Sequence, residues 1–341
     1  MQKLKIILLI LLVVLLFGCG RNNENVVVIN IDEIKDISTE KFIDLKIADN
    51  KGDTIFFGNI ADIFLGNDSN IMIIESEKSR IVQLDKEGNF KKYIGRPGGG
   101  PCEFISPRGG LYYNDNHYII DNYGQLLHKF DKDMEYITSY RIKLPSVSDI
   151  AFINENEIIA INQESDEHIF FVIDTLGNIN RSFGDVKGNE EGLIQNQRKA
   201  SSVKFVYDPL YKHIFLFSIG APIIRRFDLN GNLLQRINIE GEKIDTLNVL
   251  TEKARQRNPN ASSFYLMGLS IFDGHNLLVT VSGFGSLVLH YDENDIMDTK
   301  LIKYDIATKD EIILAALILK NYSTIKLLHD TFFNNLFVKT D

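Results

Sequence analysis

Two residue types in this chain could carry chemistry unaided: its two cysteines, Cys19 and Cys102, and its seven histidines. A nucleophilic cysteine needs a base within reach and a depressed pKa. Cys102 lies in "YIGRPGGGPCEF", Tyr93 to Phe104, and the nearest histidine in sequence, His117, belongs to a different strand. A small residue filling a tight loop is the expected role. His117, His128, His168, His213, His275, His290 and His329 form no H-x-x-x-H or H-x-H pair, so their spacing writes no metal site. "YDENDIMD" is acidic but lacks the glycine and the distant glutamate of a calcium loop. No catalytic residue, metal ligand or cofactor is therefore assigned. A divalent ion held jointly by distant segments stays open as an alternative.

The glycine-rich stretch could instead cradle a phosphate. That chemistry needs a strand, a glycine turn and a helix, with Lys-Ser or Lys-Thr after the glycines. Here Pro101-Cys102-Glu103-Phe104 follows and the sequence continues as strand. The polar groups flanking the loop, Arg96, Glu103 and Arg108, are the candidate ligand-binding residues. Gly95, Gly98, Gly100 and Pro101 are its structural frame. The plainer role for Glu103 is to accept hydrogen bonds from the loop's own backbone. With a net charge of −9 and no basic stripe, the chain is a poor candidate for nucleic acid. The absence of tryptophan disfavours a dedicated sugar platform.

These residues must be positioned by something, and the chain is written as a repeat. "RIVQLDKEGNFKKYI", "LLHKFDKDMEYITSYRI", "FFVIDTLGNINRSF", "IIRRFDLNGNLLQRINI" and "LVLHYDENDIMDTKLI" each read as an alternating strand, an Asp, a short polar turn and a second strand. The aspartates are Asp85, Asp131, Asp174, Asp228 and Asp292, spaced by 46, 43, 54 and 64 residues. An aspartate there accepts hydrogen bonds from turn amides, which makes it structural. Upstream of each hairpin lies a further strand pair, as in "SNIMIIES" and "NHYIIDN". Four strands per unit at this period suit the blades of a β-propeller. A β-sandwich or a stack of small sheets is the competing arrangement.

Five units fill roughly Ile60 to Tyr304. "KFIDLKIAD" before them and "TIKLLHDTFFNNLFVKTD" after them are expected to share a sixth, closing blade, which removes both open edges. The expected fold is all-β, a six-bladed propeller over residues 31–341. Asn248 to Ser263 reads as a polar surface insertion with helix formers, and Lys309 to Asn321 fits either a short helix or a strand.

The first residues carry Lys3 and Lys5, then an unbroken apolar run from Ile6 to Phe17, which fits the core of a signal peptide over residues 1–18. Leu16-Phe17-Gly18-Cys19 resembles the lipobox of bacterial lipoproteins. That resemblance implies a mature chain starting at a lipidated Cys19, followed by a flexible tether within residues 19–30, of which Gly20 to Asn25 are polar. Loss of Lys3 and Lys5 takes the net charge from −9 to −11. Cys102 is then left without a disulfide partner.

On the motif residues Leu84 to Phe104 the chain also resembles a family of bacterial six-bladed β-propeller lipoproteins related to NHL repeats, whose members carry a "GxxGxGPGEF"-like connector after a "FDxxGxFxxxIG" hairpin; the resemblance covers Phe42 to Tyr304 and is strongest from Ile60 to Ile142. The chain departs at Cys102, where the family has glycine. A left-handed backbone there would cost a cysteine about 1 kcal/mol. The resemblance implies a lipid-anchored, monomeric binding module in the envelope of a Gram-negative bacterium, held at the outer membrane, with a protein or small molecule as partner. No catalysis is expected. The alternatives are a metal-dependent, lactonase-like hydrolase or a lyase with its site in the channel, and a structural part of an envelope complex.

Overall fold

The computed structural model describes residues 25–41, 47, 50–53, 55, 57–121, 125–144, 147–162, 167–185, 203–218, 221–257, 266–272, 275–281 and 285–305. Two short strands open the described chain, β1 (Val26–Asn30) and β2 (Ile37–Lys41). Twenty more follow in five antiparallel groups of four. Blade 1 is β3 (Ile60–Leu65), β4 (Ile71–Glu75), β5 (Arg80–Leu84) and β6 (Phe90–Ile94). Blade 2 is β7 (Gly109–Tyr113), β8 (Asn116–Asp121), β9 (Leu126–Asp131) and β10 (Tyr136–Arg141). Blade 3 is β11 (Val147–Asn154), β12 (Glu157–Asn162), β13 (His168–Asp174) and β14 (Ile179–Asp185). Blade 4 is β15 (Val203–Asp208), β16 (His213–Ser218), β17 (Ile223–Asp228) and β18 (Leu233–Glu240). Blade 5 is β19 (Leu266–Phe272), β20 (Asn276–Val281), β21 (Gly285–Tyr291) and β22 (Ile296–Asp305).

The second strands are apolar on both faces because each sheet is sandwiched between neighbours. Ile71, Met72, Ile73 and Ile74 of β4 are all buried. The core accordingly lies between blades. Phe64, Ile74, Phe104 and Phe130 fill the gap between blades 1 and 2. Phe152 and Ile158 meet Tyr118 and Ile120 between blades 2 and 3. Phe170, Phe205 and Phe227 fill the next gap, and Phe215, Leu289 and Tyr291 the one after.

The first strand of each blade is the innermost. These strands touch in the order β3, β7, β11, β15, β19 around a channel, and no comparably close contact joins β19 to β3 among the described residues. The C-terminal segment Thr324–Asp341, expected to complete the closing blade, and Lys309–Asn321, which fits either a short helix or a strand, lie outside the described residues. So do most of Lys41–Asp49, where Ile47 accepts a hydrogen bond from the amide of Ile55 at 2.7 Å. The signal segment and Cys19 also lie outside them. Among the described residues no helix is long and apolar enough to cross a membrane.

The N-terminal strands correct one expectation. Residues 26–30, read as part of the tether, are strand β1, which adds in parallel to the outer edge of blade 4 with Val26 opposite Arg236 and Asn30 opposite Glu240. β2 does the same on blade 5, with Ile37 opposite Leu301. Alternation decides this, since Ile29 faces the core while Val28 faces out. The polar insertion is a helix that starts earlier than the sequence suggested, α1 (Glu242–Arg257), joining β18 to β19. Its first amide, Glu242 N, donates to Asp32 Oδ2 at 2.6 Å, so the link between β1 and β2 caps the helix.

Candidate functional site

Each blade sends its outermost strand to the next blade's innermost strand through a connector, and the connectors and the second-to-third-strand turns share one end of the channel. The loop Gly95–Arg108 is the connector from blade 1 to blade 2. It leaves β6 at Gly95 with φ +81°, where a Cβ would lie 2.2 Å from the Phe104 ring. The loop then folds back on itself. Phe104 N donates to Arg96 O at 2.8 Å and Gly98 N to Phe104 O at 3.1 Å, which drives the fully buried Phe104 ring between the blades. Gly98, at φ +153°, leaves no room for a Cβ beside the Glu103 carboxylate.

Arg96 and Glu103 are brought together. Glu103 Oε1 accepts from Arg96 Nε at 2.9 Å, and Oε2 accepts from Gly100 N at 2.9 Å. The Gly100 amide, then the Arg96 guanidinium, hold the Glu103 carboxyl below its ordinary pKa. Both charges serve the loop. Arg108 stands apart at the start of β7, its amide donating to Ile120 O at 2.9 Å. Cys102 is half-buried at φ +58°, in the left-handed region, with its side chain against the cluster around Phe104.

Sequence reasoning missed the groups that pin this loop from below. Asp121, the last residue of β8, is buried and accepts from Ile105 N at 2.9 Å and Ser106 N at 2.6 Å. His128 Nε2 lies 3.2 Å from the same carboxylate, its Nδ1 lies 2.7 Å from Ser139 Oγ, and Ser139 Oγ lies 2.8 Å from Tyr136 Oη. An Asp–His–Ser line is the order of a nucleophilic relay. Here the carboxylate is already committed to two backbone amides and the serine to a tyrosine, so the line functions as a clamp. Glu75 ends β4 in the equivalent position and takes Gly58 N at 2.7 Å, Arg80 Nε at 2.7 Å and Lys78 Nζ at 2.8 Å. Burial pushes the Glu75 pKa up, but these donors outweigh it and hold it below the ordinary carboxylate value. The available signal was the polar residue closing the second strand of successive units, Glu75, Asp121 and Asn162.

The repeated aspartates lie at the other end. Asp85 Oδ1 accepts from Glu87 N at 3.0 Å and Asn89 N at 2.8 Å. The amides of residues 133 and 135, 176 and 178, 230 and 232, and 294 and 295 bind Asp131, Asp174, Asp228 and Asp292 in the same way.

Nearest the channel, polar side chains stand within the first three residues of innermost strands, at the connector end. Asp62 of β3 accepts from Gly110 N of β7 at 3.1 Å, an approach that Gly110 permits because a Cβ there would lie 2.2 Å from the Phe64 ring. Asp149 of β11 and Lys204 of β15 face each other at 3.9 Å, both partly exposed. A partly exposed pair this long contributes little to stability. Among the described residues no three of His, Cys, Asp and Glu converge as a metal site.

A family model described as a 6-bladed beta-propeller matches residues 19–259. No curated protein sequence matches the chain. Among solved structures, a Bacteroides fragilis protein described as exported is similar at 16% identity and a TM-score of 0.50, over 81% of this chain and 79% of that one. The virginiamycin B lyase of Staphylococcus aureus matches at 14% identity and a TM-score of 0.46, over 77% of each chain. The β-propeller domain of Cps50 (Swd1) from Myceliophthora thermophila matches at 12% identity and a TM-score of 0.47, over 72% of each.

Proposed function

Because the chain belongs to the family of six-bladed β-propellers, we propose that it is an exported, lipid-anchored binding module of the cell envelope that takes a ligand or protein segment at the connector end of its channel. The observation that carries this reading is the meeting of Asp149 and Lys204 on the innermost strands of two blades, a carboxylate and an ammonium 3.9 Å apart and partly exposed. Rigid sheets fix their separation, and groups of opposite charge set side by side suit a ligand that offers both an acceptor and a donor. The Asp121 clamp and the Arg96–Glu103 loop hold the connector face in one shape, which lowers the ordering cost of recognition. Export and anchoring rest on the apolar run ending at Phe17 and on the lipobox-like Leu16-Phe17-Gly18-Cys19, which implies outer-membrane attachment through Cys19.

Photo-crosslinking in intact cells tests the reading. A photoreactive side chain at position 204 should give an adduct, while one at position 86, in a turn at the opposite end, should give none. Adducts from position 86 alone would move the site to the wrong end of the channel. Elemental mass spectrometry on the same protein addresses the absence of chemistry: a stoichiometric metal whose chelation lowers Tm would favour a metal-dependent hydrolase or lyase instead.

A further inference from the structure

Half of the strongly exposed large apolar side chains among the described residues gather on one sector of the rim. Val26 and Val28 lie on β1, Ile37 on β2, Met297 on β22, and Val249 and Leu250 on α1, each between 46% and 62% exposed. The remaining six, including Ile137 and Leu176, are spread over blades 1 to 4. The sector is continuous in structure. β1 edges blade 4, β2 edges blade 5, their link caps α1, and Ile31, Ile34, Ile244 and Leu247 pack behind it in one cluster. Its inner side is thus fixed by core contacts while its outer side presents apolar groups to whatever lies beside the rim.

The chain itself limits what that is. Only Gly20 to Asn25 separate Cys19 from Val26. Six residues span about 20 Å when fully extended. If Cys19 bears lipid, the edge of β1 stays within that distance of the bilayer, and the tether raises the effective concentration of the surface to a level where a few weak apolar contacts suffice. The charges of this sector are mixed, with Lys35, Lys243 and Lys253 set against Glu33, Asp245 and Glu252. Attraction to anionic headgroups is therefore not the driving force, and a shallow apolar contact is. We infer that the rim of blades 4 and 5 rests on the lipid bilayer, with the channel axis along the membrane plane and both channel ends open to the side. This rests on the lipid-anchor reading above, and it means that a partner reaches Asp149 and Lys204 by moving along the membrane surface.

The test uses the full lipidated chain in phosphatidylethanolamine–phosphatidylglycerol vesicles, with Cys102→Ser removing the native thiol. An environment-sensitive fluorophore is attached at Val28→Cys or Leu250→Cys, and at Ile137→Cys or Leu176→Cys as equally exposed apolar controls on other blades. Labels at 28 and 250 should shift to the blue on vesicle addition and be quenched by lipid-borne spin labels, while those at 137 and 176 should not change. Equal responses at all four positions would overturn the inference while leaving the anchor intact. A response at 28 and 250 that depends on protein concentration without vesicles would overturn it in favour of contact between two copies. Failure of the lipidated chain to sediment with vesicles would instead sink the anchor reading, and this inference with it.

Discussion

The gap between blades 1 and 2 and the gap between blades 4 and 5 are closed by different means. The first is sealed by neighbouring sequence: a tight connector drives Phe104 inward and is held by Asp121 and by its own Glu103. The second is sealed by segments far apart in the chain. There α1 spans the outside, and inside it the fully buried Arg226 donates through Nε to His213 Nδ1 at 3.0 Å and through Nη2 to Asp292 O. Beside it Tyr291 Oη donates to the buried Asp208 at 3.0 Å. Apolar wedging tolerates local error, whereas a buried guanidinium requires its acceptors to be in place.

The comparison is broken most directly by removing the wedge. Phe104→Ala should cost about 4 kcal/mol, because the tight glycine connector cannot collapse into the cavity. A loss near 1 kcal/mol in chemical denaturation would mean that the connector refills the space. Arg226→Ala should follow at roughly 3 kcal/mol, since it strands a buried imidazole nitrogen and a carbonyl and removes the stem packed over Phe215 and Tyr291. If it proves neutral, the second gap is held by packing alone.

Acidification should weaken both gaps. Burial, and then the Arg226 charge, depress the His213 pKa. The unfolded imidazole takes a proton at about pH 6.5, so the folded state binds fewer protons there; stability is complete above that pH and falls as the pH drops through it towards the depressed folded value. Burial depresses His117 near the first gap with the same sign. His213→Gln should remove about one proton from the stability slope below pH 6.5 and leave the part due to His117. An unchanged slope would exclude His213 as the linked group. The smallest effect is expected at Cys102→Gly. Relief of the left-handed backbone is worth about 1 kcal/mol, partly offset by the entropy of a more flexible unfolded chain, for a net gain of a few tenths. A loss instead would mean that the thiol's contacts beside Phe104 outweigh the backbone relief.

The same contrast explains what could be read in advance. The five hairpins and their aspartates were legible because each turn satisfies its amides within four residues, so its chemistry is written locally. The left-handed demand at Cys102 was legible only through the resemblance, which puts a glycine at that position. Asp121 and Glu75 were only half legible. Their place at the end of a strand is visible in the sequence, but their partners come from the connector of the preceding blade. The Arg226–His213–Asp292 contacts and the pairing of β1 with β18 join residues that sequence spacing cannot link. "VVVIN" is as good a strand for one sheet edge as for another, which is why the sequence alone reads it as the end of the tether. At the channel mouth, Asp149 and Lys204 carried no spacing signal, because a ring of innermost strands makes neighbours of residues one blade apart.

The parallel strands of the N-terminal segment also order events during folding. Asp32 meets Glu242 across 210 residues, and β1 has no edge to join until blade 4 exists. Closing so long a loop is slow and entropically costly, so the first strands to emerge are among the last to dock. Until then they remain unpaired and open to a protease or a carrier that binds extended chain. The chain thus keeps its leading end exposed through most of its own folding, and the docking of β1 and β2 brings that interval to an end.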